Sequence, residues 1–190
     1  RRCNLKCGHC YAQAETDKGV DPISTQQAKV MIDDLSAYGA PVMLFSGGEP
    51  TIRKDMPELA SYATSKGMRA VISTNGTLID RAMARELKAV GLSYVGVSLD
   101  GGEEVHDHFR GVKGAFRRAL EGLDYCREEG IKVGLRFTIN KRNAVEIPKI
   151  FDILRERDIP RVCFYHLVYS GRGTELINED LNHQETRAVV

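Results

Sequence analysis

Four things are scarce or missing in this 190-residue chain: net charge, long apolar runs, low-complexity tracts, and a fourth cysteine beside the first three. The formal charge is +1, which gives no general field to attract nucleic acid or an anionic membrane. Any anionic ligand must therefore be held locally. No apolar stretch reaches the roughly 18 residues that a membrane helix needs, and no secretory leader pattern opens the chain. Neither nucleic acid nor membrane is an expected partner. With 42% hydrophobic and 28% charged residues and no linker, the composition is that of one globular domain with a real core. The chain opens on Arg1, not Met, and ends on the polar, uncapped stretch Asn182 to Val190. It is expected to be a piece of a longer protein, with a strand before Arg1 and a C-terminal region lying outside it.

What is present is a crowd of thiols. Three of the five cysteines fall within Cys3-Asn4-Leu5-Lys6-Cys7-Gly8-His9-Cys10, too close to staple the loops of a secreted framework, so a metal site in a reducing cytoplasm is expected. A structural zinc site closes its tetrahedron with four ligands. A triad one ligand short points instead to a metal that needs an open position. Thiolates suit zinc, copper(I) and iron–sulfur clusters. A catalytic zinc usually adds histidine or carboxylate, whereas a four-iron cube held by three cysteines keeps one iron free. The reading from another class is a non-catalytic zinc-binding domain, which would be colourless where a cube is brown.

Periodicity alternates along the rest of the chain. Ser24 with Gln27 forms a capping box ahead of Ala28, Met31, Ile32 and Leu35, and Gly39 ends that helix. Val42–Phe45 reads as a buried strand. Asp55 with Glu58 caps a helix to Gly67, followed by a strand over 69–73. Asp80 opens a helix to Gly91, followed by a strand over 94–98. A helix carrying Phe116, Ala119, Leu120 and Leu123 stops at Gly130 before a strand over 132–138. Asn143 with Glu146 caps a helix through Leu154, and 162–168 reads as the fifth strand. This alternation predicts βαβ units in a parallel sheet. Cys126 and Cys163, with Met43, Met56 and Met68, read as core packing.

Polar clusters stand at four strand exits: Gly47-Gly48-Glu49-Pro50, Ser73-Thr74-Asn75-Gly76, Ser98-Leu99-Asp100-Gly101 and Arg136 to Asn140. In parallel α/β folds ligands bind at the carboxyl ends of strands, so these clusters are expected to share one mouth. With the C-x3-C-x2-C loop, the Gly-Gly-Glu-Pro turn, Ser-x-Asn-Gly and Val-Ser-Leu-Asp-Gly, the chain strongly resembles the radical SAM enzymes over nearly its whole length.

That resemblance implies an α/β fold, a radical SAM partial (β/α)6 barrel with parallel strands, truncated at both ends, with residues 1–190 forming the core domain. Cys3, Cys7 and Cys10 would hold a [4Fe-4S] cluster whose free iron binds S-adenosyl-L-methionine. Gly47 and Gly48 would let the backbone approach the methionine end, and Glu49 would accept from its ammonium. His9 occupies the position before the third cysteine, often aromatic in the family and in contact with adenine. Ser73, Thr74 and Asn75 would touch the cofactor from one strand. Ser98 and Asp100 would lie near ribose and carboxylate, Arg136 would pair the carboxylate, and the backbone at Leu167 would meet adenine. The reduced cluster would cleave the sulfonium and generate a 5′-deoxyadenosyl radical that abstracts hydrogen from substrate. An electron donor such as flavodoxin or ferredoxin is implied.

The exit Tyr165-His166-Leu167-Val168-Tyr169-Ser170-Gly171-Arg172-Gly173, with the opening Arg-Arg-Cys-Asn-Leu-Lys-Cys, resembles the NirJ-type branch. Those enzymes act on iron tetrapyrroles in haem d1 and alternative haem biosynthesis. A polycarboxylated tetrapyrrole substrate would suit a mouth offering Arg110, Arg142 and Arg172, since guanidinium groups pair carboxylates bidentately. The enzymatic alternative is a radical SAM enzyme that modifies a peptide, as in quinone-cofactor or sulfatase maturation.

Overall fold

The computed structural model describes residues 2–15 and 23–189. Among them are five strands: β1 (Val42–Phe45), β2 (Arg69–Thr74), β3 (Tyr94–Ser98), β4 (Lys132–Thr138) and β5 (Val162–Tyr165). All pair in parallel, in the order in which they occur in the chain. The helices are α1 (Thr25–Ala37), α2 (Met56–Ser65), α3 (Arg81–Ala89), α4 (Glu103–Arg110), α5 (Ala115–Glu128), α6 (Ile147–Glu156) and α7 (His183–Val189). Parallel neighbours need a crossover of a dozen residues or more, and because every pairing is parallel all strand carboxyl ends lie on one rim. The expected α/β class and parallel sheet are found, and the open sheet with β1 and β5 at its edges is consistent with a partial barrel.

Local chemistry explains most boundaries. Ser24 Oγ accepts from Gln27 N–H at 3.2 Å while Gln27 Oε1 accepts from Ser24 N–H at 2.8 Å, closing the expected capping box of α1. Asp80 Oδ1 caps α3 by accepting from Met83 N–H. Asp55 does not cap α2, contrary to expectation. Its carboxylate is taken by the Arg53 guanidinium at 2.7 and 2.8 Å and by Thr25 Oγ1 at 2.6 Å, because a bidentate charged donor outcompetes a single backbone N–H. Asn143 does not cap either. It ties a turn instead, donating to Thr138 O and accepting from Asn140 N–H, and a short 3₁₀ turn precedes α6. Strand β5 ends at Tyr165, three residues before its expected end. The C-terminal stretch, expected to be uncapped, forms α7, where Asn182 Oδ1 accepts from the N–H groups of Gln184 and Glu185. Helix α4 was not anticipated from the sequence.

The core runs along the covered faces of β2, β3 and β4, with Ile72, Val95, Val97, Leu135 and Phe137 wholly or almost wholly buried. Both faces of these middle strands are occupied, as in parallel sheets generally. The opposite face of β3 and β4 makes room for large polar groups by omitting side chains. Gly96 pairs in register with Gly134, and a Cβ on Gly96 would lie 2.9 Å from Arg136 Cδ, one on Gly134 2.3 Å from the Tyr94 hydroxyl. Cys126 is buried on α5, and burial pushes its thiol up to about 12, so it is a core residue as expected.

Helix α5 also fixes the exit of β2. A Cβ on Gly122 would sit 2.3 Å from the Gly76 carbonyl oxygen. Alanine is worth about 1 kcal/mol of helix propensity over glycine, but overpacking against backbone costs about 1–3 kcal/mol or more, so the clash wins. Gly122→Ala should lower the thermal midpoint, by about 2–4 °C per kcal/mol for a domain of this size. A midpoint that stays level or rises in calorimetry would show that the helix gives way freely.

Candidate functional site

A cavity of about 220 Å³ opens at the carboxyl ends of the strands, several times the roughly 30 Å³ that one water occupies in the liquid. The expected convergence is present. Cys3, Cys7, His9 and Cys10 line it from the N-terminal loop, and Gly47, Gly48 and Glu49 line it from the exit of β1. Ser73, Thr74 and Asn75 come from β2, and Ser98 and Arg136 from β3 and β4. Asp100 and Leu167 do not reach its wall. Asp100 is fully buried behind it and Leu167 is turned into the protein, while its neighbours His166 and Val168 face the cavity. Thr138, from the Arg136 to Asn140 cluster, also lines it, as do Ser46 and Tyr165, which lie outside the four polar clusters.

Each thiol of the loop meets a nitrogen donor. Leu5 N–H lies 3.4 Å from Cys3 Sγ and Asn75 Nδ2 lies 3.9 Å from it. Ala14 N–H lies 3.5 Å from Cys10 Sγ, and Arg110 Nη1 lies 3.5 Å from Cys7 Sγ. Burial is the largest influence on the Cys3 thiol and, with the neighbouring Cys7 and Cys10, raises it above the usual range. Among the described residues no three His, Cys, Asp or Glu side chains converge on a point that one metal ion could occupy. The three thiols instead share the wall of the cavity. Three soft donors already surrounded by N–H groups, on a wall with room beside it, fit a thiolate-held iron–sulfur group.

The loop itself is held from three sides. Glu49 N–H donates to Arg2 O at 2.8 Å, and a Cβ on Gly48 would stand 1.9 Å from that same oxygen. Gly48 is thus required by the close passage of residue 2, whereas Gly47, at φ 133°, has open space where its Cβ would be. Only Gly47 matches the expected role of admitting a ligand to the backbone. The last turn of α4 supplies carbonyls, with Lys6 N–H donating to Arg110 O and Gly8 N–H to Phe109 O. The third grip is Arg172. Its backbone N–H donates to Cys10 O at 3.1 Å, its Nε to Cys7 O at 2.8 Å, and both Nη groups to Ala14 O at 3.2 Å. A Cβ on Gly171 would lie 2.5 Å from Cys10 O, which explains the glycine beside it.

These contacts revise the expected substrate clamp. Arg172 is spent on the cysteine loop, Arg142 pairs with Glu179 at 2.8 Å, and Arg110 is buried against Asp100 at 2.7 Å. None is free for a carboxylated ligand. Arg110 and Arg136 both line the cavity, but Arg136 is the exception in its pairing: its guanidinium lies 4.6 Å from the Tyr165 ring centre, and among the described residues no carboxylate pairs with it.

Glu49 is buried and ties two strand exits together. Oε1 accepts from Thr51 N–H at 3.1 Å, Thr51 Oγ1 at 2.6 Å and Thr74 Oγ1 at 2.7 Å; Oε2 accepts from Asn75 N–H at 2.8 Å. Burial pushes this carboxyl up, with the four hydrogen bonds pulling against it. A carboxylate has about four acceptor positions, so Oε1 is saturated and Oε2 keeps room for one further donor.

Behind the wall, Asp100 gathers Arg110, His9 and His106. Burial pushes the Asp100 carboxyl up, but the Arg110 charge, with His9 and His106, outweighs it and the net shift is downward. His106 Nδ1 accepts from Asp100 N–H at 3.1 Å, so its proton is on the other nitrogen. Burial first, and Arg110 second, push its pKa down from 6.5 to about 4. Since the unfolded chain takes up this proton at higher pH than the fold does, the neutral ring's contribution is complete above pH 6.5. It is lost as pH falls from 6.5 towards 4, by about 3 kcal/mol at most. His106→Asn, which keeps an acceptor but cannot titrate, should flatten that part of the curve of stability against pH measured by denaturant unfolding. An unchanged slope would remove His106 from it.

Comparison with known proteins agrees with this arrangement. Residues 1–154 match the family described as the Radical SAM superfamily. The chain is 67% identical over 190 residues to a Fe-coproporphyrin III synthase of Methanosarcina barkeri, covering 100% of this chain and 48% of that protein. It is 38% identical over 187 residues to a pre-heme d1 synthase of Dinoroseobacter shibae, covering 98% of this chain and 46% of that protein. The chain thus spans about half the length of the curated relatives it matches. Among solved structures, Streptococcus suis SuiB bound to S-adenosylmethionine superposes with a TM-score of 0.76 at 21% identity, covering 88% of this chain and 39% of that one; a likeness at that identity speaks for the fold alone.

Proposed function

The chain belongs to the radical SAM superfamily, and from that premise we propose that it acts on an iron tetrapyrrole, removing or modifying a side chain in haem or haem d1 biosynthesis. The observation that carries the substrate class is the 67% identity, over the whole chain, to a protein named Fe-coproporphyrin III synthase. The peptide-modifying alternative has weaker support: a PqqA peptide cyclase of Bradyrhizobium diazoefficiens is 30% identical over 171 residues, and the SuiB likeness extends to the fold only.

In this reading Cys3, Cys7 and Cys10 hold a [4Fe-4S] cluster, and Gly47, Glu49 Oε2 and Arg136 face bound S-adenosylmethionine. When bound, the pair supplies a one-electron reductive cleavage of the sulfonium and, with it, a hydrogen-abstracting radical. The chain's own residues do the positioning. Arg136, in a slot left by Gly96, presents a fixed cation to a carboxylate. Glu49 locks the exits of β1 and β2 and offers one acceptor to an ammonium. Tyr165, His166 and Val168 form an exposed rim at the end of β5, suited to the flat face of a macrocycle. Because Arg110, Arg142 and Arg172 are already engaged, that rim meets the macrocycle through stacking and apolar contact. An electron donor such as flavodoxin or ferredoxin would supply the electron. No described helix is long and apolar enough to cross a membrane, in keeping with the cytoplasmic location that we also propose.

The test is anaerobic reconstitution with iron and sulfide, followed by dithionite, S-adenosylmethionine and either iron tetrapyrroles or candidate peptides. The expected result is 5′-deoxyadenosine with loss of mass from a tetrapyrrole side chain. Modification of a peptide alongside untouched tetrapyrroles would refute the substrate class.

A further inference from the structure

The thiols differ in what faces them. Cys3 and Cys10 meet backbone N–H groups and, for Cys3, an amide, all neutral donors. Among the described residues, Cys7 alone of the three meets a charged one: Arg110 Nη1 stands 3.5 Å from its Sγ. That guanidinium is 9% exposed and is paired on its far side, at 2.7 Å, with Asp100, itself 1% exposed. The last turn of α4 meanwhile turns the carbonyls of Phe109 and Arg110 towards the cysteine loop. A helix C-terminus carries partial negative charge, which opposes adding an electron nearby. Arg110 places a full positive charge at that same turn.

We propose that Arg110, with its charge moderated by Asp100, sets the electron affinity of the group held by the cysteine triad. This rests on the reading of the triad as an iron–sulfur site. Potentials of such clusters respond to hydrogen bonds to sulfur, local charge and solvent exposure, and a buried cation acts in a medium that screens it weakly. Reduction adds one negative charge to the cluster, so the nearer Arg110 favours the reduced form and the more distant Asp100 opposes it. Arg110 is a positioning residue here, acting through Cys7 Sγ. The arrangement predicts opposite effects of the two partners, which loss of packing would not produce.

The experiment reconstitutes the full chain and measures iron, sulfide and the midpoint potential by an EPR-monitored redox titration. Arg110→Gln should lower the potential, so that the reduced fraction at a fixed solution potential falls about tenfold, which is about 59 mV for one electron. Asp100→Asn should raise it. Arg110→Lys should restore most of the wild-type value. Removing one partner of a buried pair can unfold a protein, so Arg110→Met with Asp100→Asn is included. It leaves no lone buried charge and should shift the potential downward by less than Arg110→Gln. Shifts of the same sign in the two single variants, or a potential unmoved in the double variant, would overturn the proposal. A wild-type chain that takes up no iron and sulfide would overturn the cluster reading, and the proposal with it.

Discussion

Cys7→Ala, Cys3→Ala and Cys10→Ala should each give a colourless protein after reconstitution, with iron and sulfide near zero and no measurable cleavage of S-adenosylmethionine. The three thiols share one cavity wall, and each has a nitrogen donor within reach. Cys126 lies sealed in α5 and Cys163 lies on β5, and neither lines this cavity. Alanine in their place should leave the brown colour intact. Thiol ligands lose their protons on binding metal, so loading should release protons and weaken as pH falls, and burial, which raises the Cys3 thiol, adds to that dependence. Iron and sulfide analysis with visible absorbance reads the outcome directly. A triad variant that stays brown and active would remove that cysteine from the site.

Arg172→Ala should have the next largest effect. The side chain makes three hydrogen bonds to carbonyls of the cysteine loop, at 2.8, 3.2 and 3.2 Å. Bonds involving a charged group contribute about 1.5–3 kcal/mol each when well made, but two of these share the Ala14 oxygen and the group is half-buried. A net cost of about 2 kcal/mol to the closed loop is expected, a factor of roughly 30 in its population. Hydrogen–deuterium exchange of the metal-free protein should show faster exchange across residues 3–14, with the sheet unaffected, and cluster loading should fall in parallel. Arg172→Lys, which can reach one carbonyl but not two, should recover part of the protection. Loop amides as protected as in wild type would show that the remaining contacts, Arg172 N–H to Cys10 O and the α4 carbonyls, are sufficient.

The two arginines on Cys7 show how far the site was legible in the sequence. The triad, the glycine-rich turn and the polar strand exits announced themselves because ligand spacing and turn chemistry are local properties. The alternation of periods named the parallel sheet for the same reason. Helix α4 is not among the elements the periodicity predicts, although Glu103 and Glu104 in its first turn, His108 and Arg110 in its last, and Gly111 in the left-handed conformation just beyond form a helix start and stop. With it went the positions of His106 and Arg110. Asp100 was expected at the cofactor because of its place after β3, and that same helix draws it away from the cavity.

Sequence by itself determined what kind of chemistry this protein supports, since three soft ligands at fixed spacing and a run of strand–helix repeats require no knowledge of distant neighbours. Only the tertiary structure decided which charges are free to meet a ligand. Arg110 is 103 residues from Cys7 and Arg172 is 165 residues from it, yet both end against it, while Arg136 is left facing the cavity. A side chain's protonation, pairing and freedom depend on what folding brings within a few ångströms, and Coulomb and hydrogen-bond energies fall off with that distance, not with separation along the chain.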